Sequence, residues 1–447
     1  MIDPSTLPVV VIGAGPIGLA AATHLRERGI EAVVVEAGAR AGAAVREWSH
    51  IRLFSPWSEL VDPAARKLLA ERGWTEPDPH AYPTGGDWAD SYLQPLADAL
   101  GTVRYSSRVT GVARDGRDVL VDSGRDREAF AVHLESPEGR TRLLARAVID
   151  ASGTWTGPNP LGADGLPALG EPAQADRISY RIPDFCDPAV RSRYAGKHVA
   201  VAGTGASAQT VLIELNALAR SEEGDGTRVS WLVRRARGGE AFGGGDNDQL
   251  VERGALGARA REAVAETTVT TVPRFRTTGV EQQEDGRLTL TDADGQQVVD
   301  VDEVIVVTGF RPDLTILSEV RLDLDPVLSS PRVLAPLIDP NVHSCGTVYP
   351  HGAKELEQPE HGLFVVGMKS YGRAPSFLAL TGFEQVRSVV AEIDGDHEAA
   401  ARVELTLPET GVCGGAGLFD EAEASGGGCC AAPAGPELVT LGRPVDQ

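Results

Sequence analysis

Aromatic residues make up only 5% of this 447-residue chain, so its cores must rest on Ala, Val and Leu. Cysteine is scarce too: Cys186, Cys345, Cys413, Cys429 and Cys430 are an odd number at irregular spacing. That excludes a secreted disulfide framework, and the absence of any C-x-x-C excludes a thioredoxin-type pair and a zinc ribbon. Basic residues number 42 against 64 acidic ones, a formal net charge of −22. A field of that sign repels phosphate backbones and anionic lipid, so neither nucleic acid nor a membrane surface is an expected partner. Long apolar runs are also missing. The run Pro8–Ala22 is broken by Gly13, Gly15 and Gly18, and Met1–Thr6 lacks the basic region of a signal peptide. The expectation is a cytoplasmic protein.

What is present is a series of short β-branched runs: Val9–Ile12, Ala32–Val35, Ala147–Ile149, Val199–Ala202, Val229–Val233, Val304–Val307 and Leu363–Val366. Continuous apolar runs without alternation suit parallel strands buried on both faces. Helical patterns such as Leu19–Arg28 and Ala208–Leu218 alternate with them, which reads as a doubly wound α/β fold. The pattern restarts near Lys197, and a further strand and helix (Phe383–Ile393) follow the second unit. Two Rossmann-like dinucleotide-binding domains are expected, the second inserted in the first. The boundaries are 1–160 and 322–402 for the first domain and 161–321 for the second. Residues 403–447, rich in Gly, Ala, Pro and acid, bury too little apolar surface to offset their ordering entropy and are expected to form a flexible tail.

Val9–Gly18 reads VVVIGAGPIG, a strand, a G-x-G-x-x-G turn and a helix start. Gly13 permits the tight turn, Gly15 lets backbone approach a pyrophosphate, and Gly18 lets helix and sheet pack closely. Pro16 and Ile17 open the helix, whose N-terminus favours phosphate. The next strand ends in Glu36, placed to accept hydrogen bonds from an adenosine ribose. Val199–Ala208 repeats the arrangement as VAVAGTGASA, with Gly203, Gly205, Ala206 and Ser207 at the turn. Its following strand ends in Arg234-Arg235 rather than an acid, which favours a 2′-phosphate and therefore NADPH over NADH.

With these motifs in hand, residues 7–395 resemble the class B flavoprotein monooxygenases of the flavin-containing and Baeyer–Villiger type. The resemblance rests on G13AGPIG18, G203TGASA208, the strand end Ala151-Ser152-Gly153, and Val306–Asp313 (VVTGFRPD). It is similar more narrowly to flavin monooxygenases of actinobacterial arsenic-resistance gene clusters, through His50–Trp57, Tyr82–Gly86, His343–Thr347, Gly367–Arg373 and Pro408–Cys413. The resemblance implies FAD at the first turn, with Val109, Ser152, Gly153, Gly367 and Met368 around it, and Thr308-Gly309 linking the two domains. It further implies a C4a-(hydro)peroxyflavin acting on a small soft-heteroatom or carbonyl substrate, with molecular oxygen as co-substrate, and a homodimer. One departure stands out. Where the family carries F-x-G-x-x-x-H-x-x-x-[FWY], this chain has Gly170 and Tyr180 but no His.

Positive groups near a flavin stabilise its anionic reduced form, and Arg52, Lys369 and Arg373 are the candidates. Cys345, between His343 and Gly346 with His351 close by, is a candidate thiolate. Cys413, Cys429 and Cys430 offer soft ligands for trivalent arsenic. The segment Phe242–Asp246 reads as a loop or a lid near the nicotinamide. The alternatives to a monooxygenase are a reductase or oxidase passing electrons to a thiol-bound metalloid, and a thiol-based metalloid binder.

Overall fold

The computed structural model describes residues 4–235, 242, 251–342, 351–375 and 377–405. Cys345 and the tail cysteines Cys413, Cys429 and Cys430 lie outside them, as does most of the Phe242–Asp246 segment.

Every strand expected from the apolar runs is present. β1 (Val9–Ile12), β2 (Ala32–Val35), β3 (Val103–Arg104), β7 (Ala147–Asp150) and β16 (Leu363–Val365) form a five-stranded sheet in the order β16-β7-β1-β2-β3. All its pairings are parallel. β8 (Ile178–Ser179), β9 (His198–Ala202), β10 (Arg228–Val233), β11 (Val269–Pro273) and β15 (Glu303–Val306) form the second, in the order β11-β10-β9-β15-β8, again parallel throughout. Because β16 returns to the first sheet after the second is complete, the second unit is inserted in the first.

The covering of these sheets departs from the doubly wound expectation. Val9 and Val11 face helices, while Val10 and Ile12 pack on Val112, Phe130 and Val132. Those belong to an antiparallel sheet of β4 (Arg108–Arg114), β5 (Phe130–Ser136) and β6 (Gly139–Ala145). The second unit repeats the scheme. Val199 and Val201 face helix Ala206–Ala219, and Ala200 and Ala202 face an antiparallel sheet of β12 (Thr277–Gln282), β13 (Leu288–Asp292) and β14 (Gln297–Val301). A parallel strand needs only that both faces be dry, and sheet serves as well as helix. Helices Pro16–Glu27 and Ala379–Asp394 pack together over the first sheet. Among the described residues no helix is long and apolar enough to cross a membrane.

Candidate active site

The carboxyl ends of both parallel sheets open on one cavity of about 1470 Å³. Gly13, Gly15, Pro16 and Ile17 of the first turn line it, and so do Gly205, Ala206 and Ser207 of the second. Crevices at the strand carboxyl ends are where open α/β sheets take ligands.

Gly13 has φ +99°, and a Cβ there would lie 2.9 Å from the Ala151 carbonyl oxygen. A Cβ on Gly18 would lie 1.9 Å from the Gly13 carbonyl oxygen, so Gly18 stays off the cavity wall and closes the turn from behind. By contrast a Cβ on Gly15 or Gly205 meets nothing within 4 Å among the described residues. Both are bare because what they face is the cavity, and a side chain there would occupy ligand space. Glu36 is buried on the cavity wall, accepting from Ala14 N and Gly38 N, each at 2.7 Å. Its carboxylate is thus fixed before any ribose arrives.

Val109, Ser152, Gly153, Gly367 and Met368 all reach the same cavity. Thr308 and Gly309 do not line it. Asn159 donates through Nδ2 to the Thr308 carbonyl at 2.9 Å and through its backbone N–H to the Gly309 carbonyl at 2.9 Å, which ties together the two crossings between the units. Gly18 and Gly203 stand behind the wall, and Arg234 and Arg235 follow the end of β10 outside it.

Of the candidate cations, Arg52 is exposed on the cavity wall and donates to the Tyr82 carbonyl at 3.3 Å. Arg373 is exposed and away from it. Lys369 lines the cavity, yet its picture as a lone cation gives way. It is 2% exposed and pairs with the fully buried Asp150 at 2.7 Å, reaching Ser152 Oγ at 3.0 Å. Asp150 also accepts from Ser152 N and Ser152 Oγ. Burial of a lysine demands such a partner. The pair welds the end of β7 to the Gly367 turn. Asp150 was legible as an acid closing an apolar strand, but nothing in the sequence joined it to Lys369.

The segment that partly matches the monooxygenase pattern lies outside the cavity. Glu171, buried there, accepts from Leu161 N, Ala168 N and the Tyr180 hydroxyl at 2.6–2.9 Å. Gly170 has φ +83° and would drive a Cβ to 2.1 Å from the Val280 carbonyl oxygen. Gly170 and Tyr180 are therefore structural here, bracing the link against β12. Burial and the Glu171 carboxylate both push the Tyr180 hydroxyl pKa up.

His50, which opens the segment His50–Trp57, carries no signature in the sequence that marks it as a site residue. It lines the cavity, and its Nε2 is buried with no hydrogen-bond partner among the described residues. An orphaned ring nitrogen on the wall of a cavity suits a ligand that brings its own donors or acceptors. With the open positions at Gly15 and Gly205 and the fixed Glu36, the residues fit two dinucleotides in the one cavity.

Fold and site together define an oxidoreductase built on two dinucleotide cradles. More particularly, residues 10–333 match the model of the pyridine nucleotide-disulphide oxidoreductases, and the chain belongs to that family. Its cofactors are FAD and a nicotinamide dinucleotide. Among curated relatives, ferredoxin–NADP reductase 1 of Cupriavidus necator is 24% identical over 386 residues, covering 85% of this chain and 87% of that one. Among solved structures, the bacillithiol disulfide reductase of Bacillus cereus superposes with a TM-score of 0.63 at 19% identity, covering 87% of this chain and 99% of that one. A mutant flavin monooxygenase of Stenotrophomonas maltophilia reaches 0.54 at 22% identity, covering 87% and 98%. One fold thus serves reductases and monooxygenases alike, and chemistry must be argued from the site.

Proposed function

We propose that the protein is an FAD- and NADPH-dependent monooxygenase acting on a small substrate with a soft heteroatom, arsenic or sulfur, or a carbonyl. The observation that carries this reading is the composition of the shared cavity. Among the described residues its wall holds one cysteine, the exposed Cys186, with no second thiol to form the dithiol a disulfide exchange needs. When bound, the two cofactors would supply the redox chemistry. The chain does the rest. The helix starting at Pro16 and the Gly15 backbone take the FAD pyrophosphate, and Glu36 takes its ribose. The Gly205 turn takes the nicotinamide dinucleotide, and Arg234 and Arg235 take its 2′-phosphate. Arg52 lends positive charge from the open side, while the Asp150–Lys369 pair fixes the wall without adding net charge. Trp48, Phe54 and Phe377 on the cavity wall exclude water from the reacting atoms.

A reductase is the second reading, favoured by the structural use of Gly170 and Tyr180 where a monooxygenase pattern carries its His. The acceptor would be a small redox protein, as the name of the Cupriavidus relatives suggests, or a metalloid held by Cys413, Cys429 and Cys430. Rapid mixing of NADPH-reduced enzyme with oxygenated buffer tests the choice. A transient absorbance distinct from both reduced and oxidised flavin is expected of the monooxygenase. Direct return of oxidised flavin selects the reductase. Arsenite affinity unchanged by replacing the three tail cysteines removes the metalloid role.

A further inference from the structure

Behind the wall formed by Gly367–Tyr371 lies a closed ring of buried hydrogen bonds that no step above uses. Ser370 and Gln385 are fully buried and His351 is 2% exposed. Gly367 N donates to Gln385 Oε1 at 2.7 Å. Gln385 Nε2 stands 2.9 Å from Ser370 Oγ and 2.7 Å from His351 Nε2. Ser370 Oγ in turn donates to the Gly367 carbonyl at 2.7 Å.

The proton positions in this ring follow from donor and acceptor counting. A peptide N–H only donates, so the Gln385 amide must turn its oxygen to Gly367. Its –NH₂ then faces Ser370 and His351 with one proton for each. Ser370 spends its own proton on the Gly367 carbonyl. His351 Nε2 is left as a bare acceptor, and the imidazole is held neutral with its proton on Nδ1. A proton on Nε2 would set two donors against each other between buried side chains, and an unmade buried hydrogen bond is costly.

We infer that Gln385 and His351 are positioning residues for the flavin. Through the ring they fix both peptide groups of Gly367, and with them the turn that faces the cavity. The inference rests on the reading that this turn lies against bound FAD. Gly367, Met368, Lys369 and Tyr371 line the cavity, whereas Ser370, Gln385 and His351 stand behind it. Gly367 has φ +68°, and a Cβ there would lie 3.2 Å from Ile17 of the first cradle. The turn is therefore clamped between the cradle helix in front and the ring behind. Tyr371 carries the coupling further, packing on His351 at 5.5 Å and edge-on to Phe377 at 5.1 Å between ring centres.

The test uses the full-length holoprotein and three variants: Gln385→Glu, Gln385→Leu and Gly367→Ala. Readouts are the FAD dissociation constant, the visible flavin spectrum, the flavin midpoint potential and ¹⁵N NMR of labelled histidine, with His351→Gln assigning the resonance. In the wild type, His351 is expected with a proton on Nδ1 and none on Nε2; a protonated Nε2 overturns the inference. Gln385→Glu keeps the acceptor for Gly367 but removes both donors, so His351 gains a proton on Nε2. The dissociation constant is expected to rise about tenfold and the flavin bands and potential to shift. Gln385→Leu should act in the same direction, and the near-isosteric Gln385→Glu decides the matter if the leucine variant does not fold. Flavin properties that move in Gly367→Ala but in neither Gln385 variant overturn the positioning role alone. Flavin properties unmoved in all three overturn the placement of the turn against FAD, and the inference with it.

Discussion

The two glycine-rich turns share a backbone: Gly15 and Gly205 both sit at φ −81°, ψ −176°, each preceding a helix. Their closures differ. In the first turn the Gly13 carbonyl points where a Cβ on residue 18 would stand, so only glycine fits. In the second turn the Gly203 carbonyl is drawn aside by the buried indole of Trp231, which donates to it at 2.8 Å, and Ala208 occupies the third position. The partner strands diverge too. β2 delivers an acid already fixed by the turn's Ala14 N–H and by the Gly38 N–H just beyond it, and β10 delivers two arginines outside the cavity wall. One motif has thus been closed sterically in one unit and by a hydrogen bond in the other. The glycine pattern alone does not say which.

Gly18→Ala should break the comparison most sharply. With backbone oxygen at 1.9 Å from the new Cβ, the helix must move off the turn. We expect a loss of about 3 kcal/mol in denaturant unfolding, with loss of bound flavin. The reciprocal Ala208→Gly should cost about 1 kcal/mol, from helix propensity, and leave flavin content intact. Equal effects of the two changes would refute the steric account of the first turn.

Trp231→Phe comes next. It keeps most of the buried ring but strands the Gly203 carbonyl, at a cost of about 1–3 kcal/mol. KM for NADPH should rise while the flavin-to-protein ratio stays at the wild-type value. Wild-type stability in this variant would mean that Ala208 needs no help from the indole.

These differences also mark what the sequence could reveal. Seven of the ten described strands of the two parallel sheets, with limits to within a residue, and the two cradles were readable, because a buried parallel strand writes itself as an uninterrupted apolar run; the edge strands β3, β8 and β11 were not. The antiparallel sheets β4–β6 and β12–β14 were not. Their exposed edges mix Arg, Thr and Glu into the pattern, as in Gly139–Ala145, where only Ala145 is buried. Residues of a nucleotide-type turn carry local signatures, and so Gly13, Gly15, Glu36 and Gly205, which line the cavity, could be singled out from the sequence. Residues that act through a partner distant in the chain, such as Asp150 on Lys369, Gln385 on His351 and Trp231 on Gly203, carry none. Their meaning lies in a contact that spacing does not encode.

The strand ends supply a smaller effect. Arg234→Ala should lower the NADPH-to-NADH ratio of kcat/KM about tenfold, equal to ~1.4 kcal/mol, leaving kcat with NADH unchanged. A ratio that does not move would place 2′-phosphate recognition on other residues. Arg253 and Arg259, on the cavity-lining face of helix Val251–Ala265, are the first to examine.

The smallest effect separates the two units by pH. His198, at the start of β9, is held neutral: one ring nitrogen donates to the Asp300 carbonyl at 3.0 Å and the other accepts from Ser230 Oγ at 2.8 Å. Burial, joined by the charge of Arg228, lowers its pKa from the ordinary 6.5. The unfolded chain therefore takes up this proton first. Stability contributed by the neutral ring is complete above pH 6.5, and it falls as the pH drops from there through the folded pKa. The first unit has its own buried titrating group in Glu360. Burial pushes its pKa up, but hydrogen bonds from Arg125 and Arg114 more than offset that and hold it below the ordinary 4.5. Its contribution is complete above pH 4.5 and falls as the pH drops from there through the folded pKa. Amide exchange at pH 5.5 should accordingly loosen β9 and β10 relative to pH 7.5 while β1 and β7 stay protected, and His198→Gln should abolish the difference. Loosening of both sheets together would mean that the two units unfold as one, with neither group setting a window of its own.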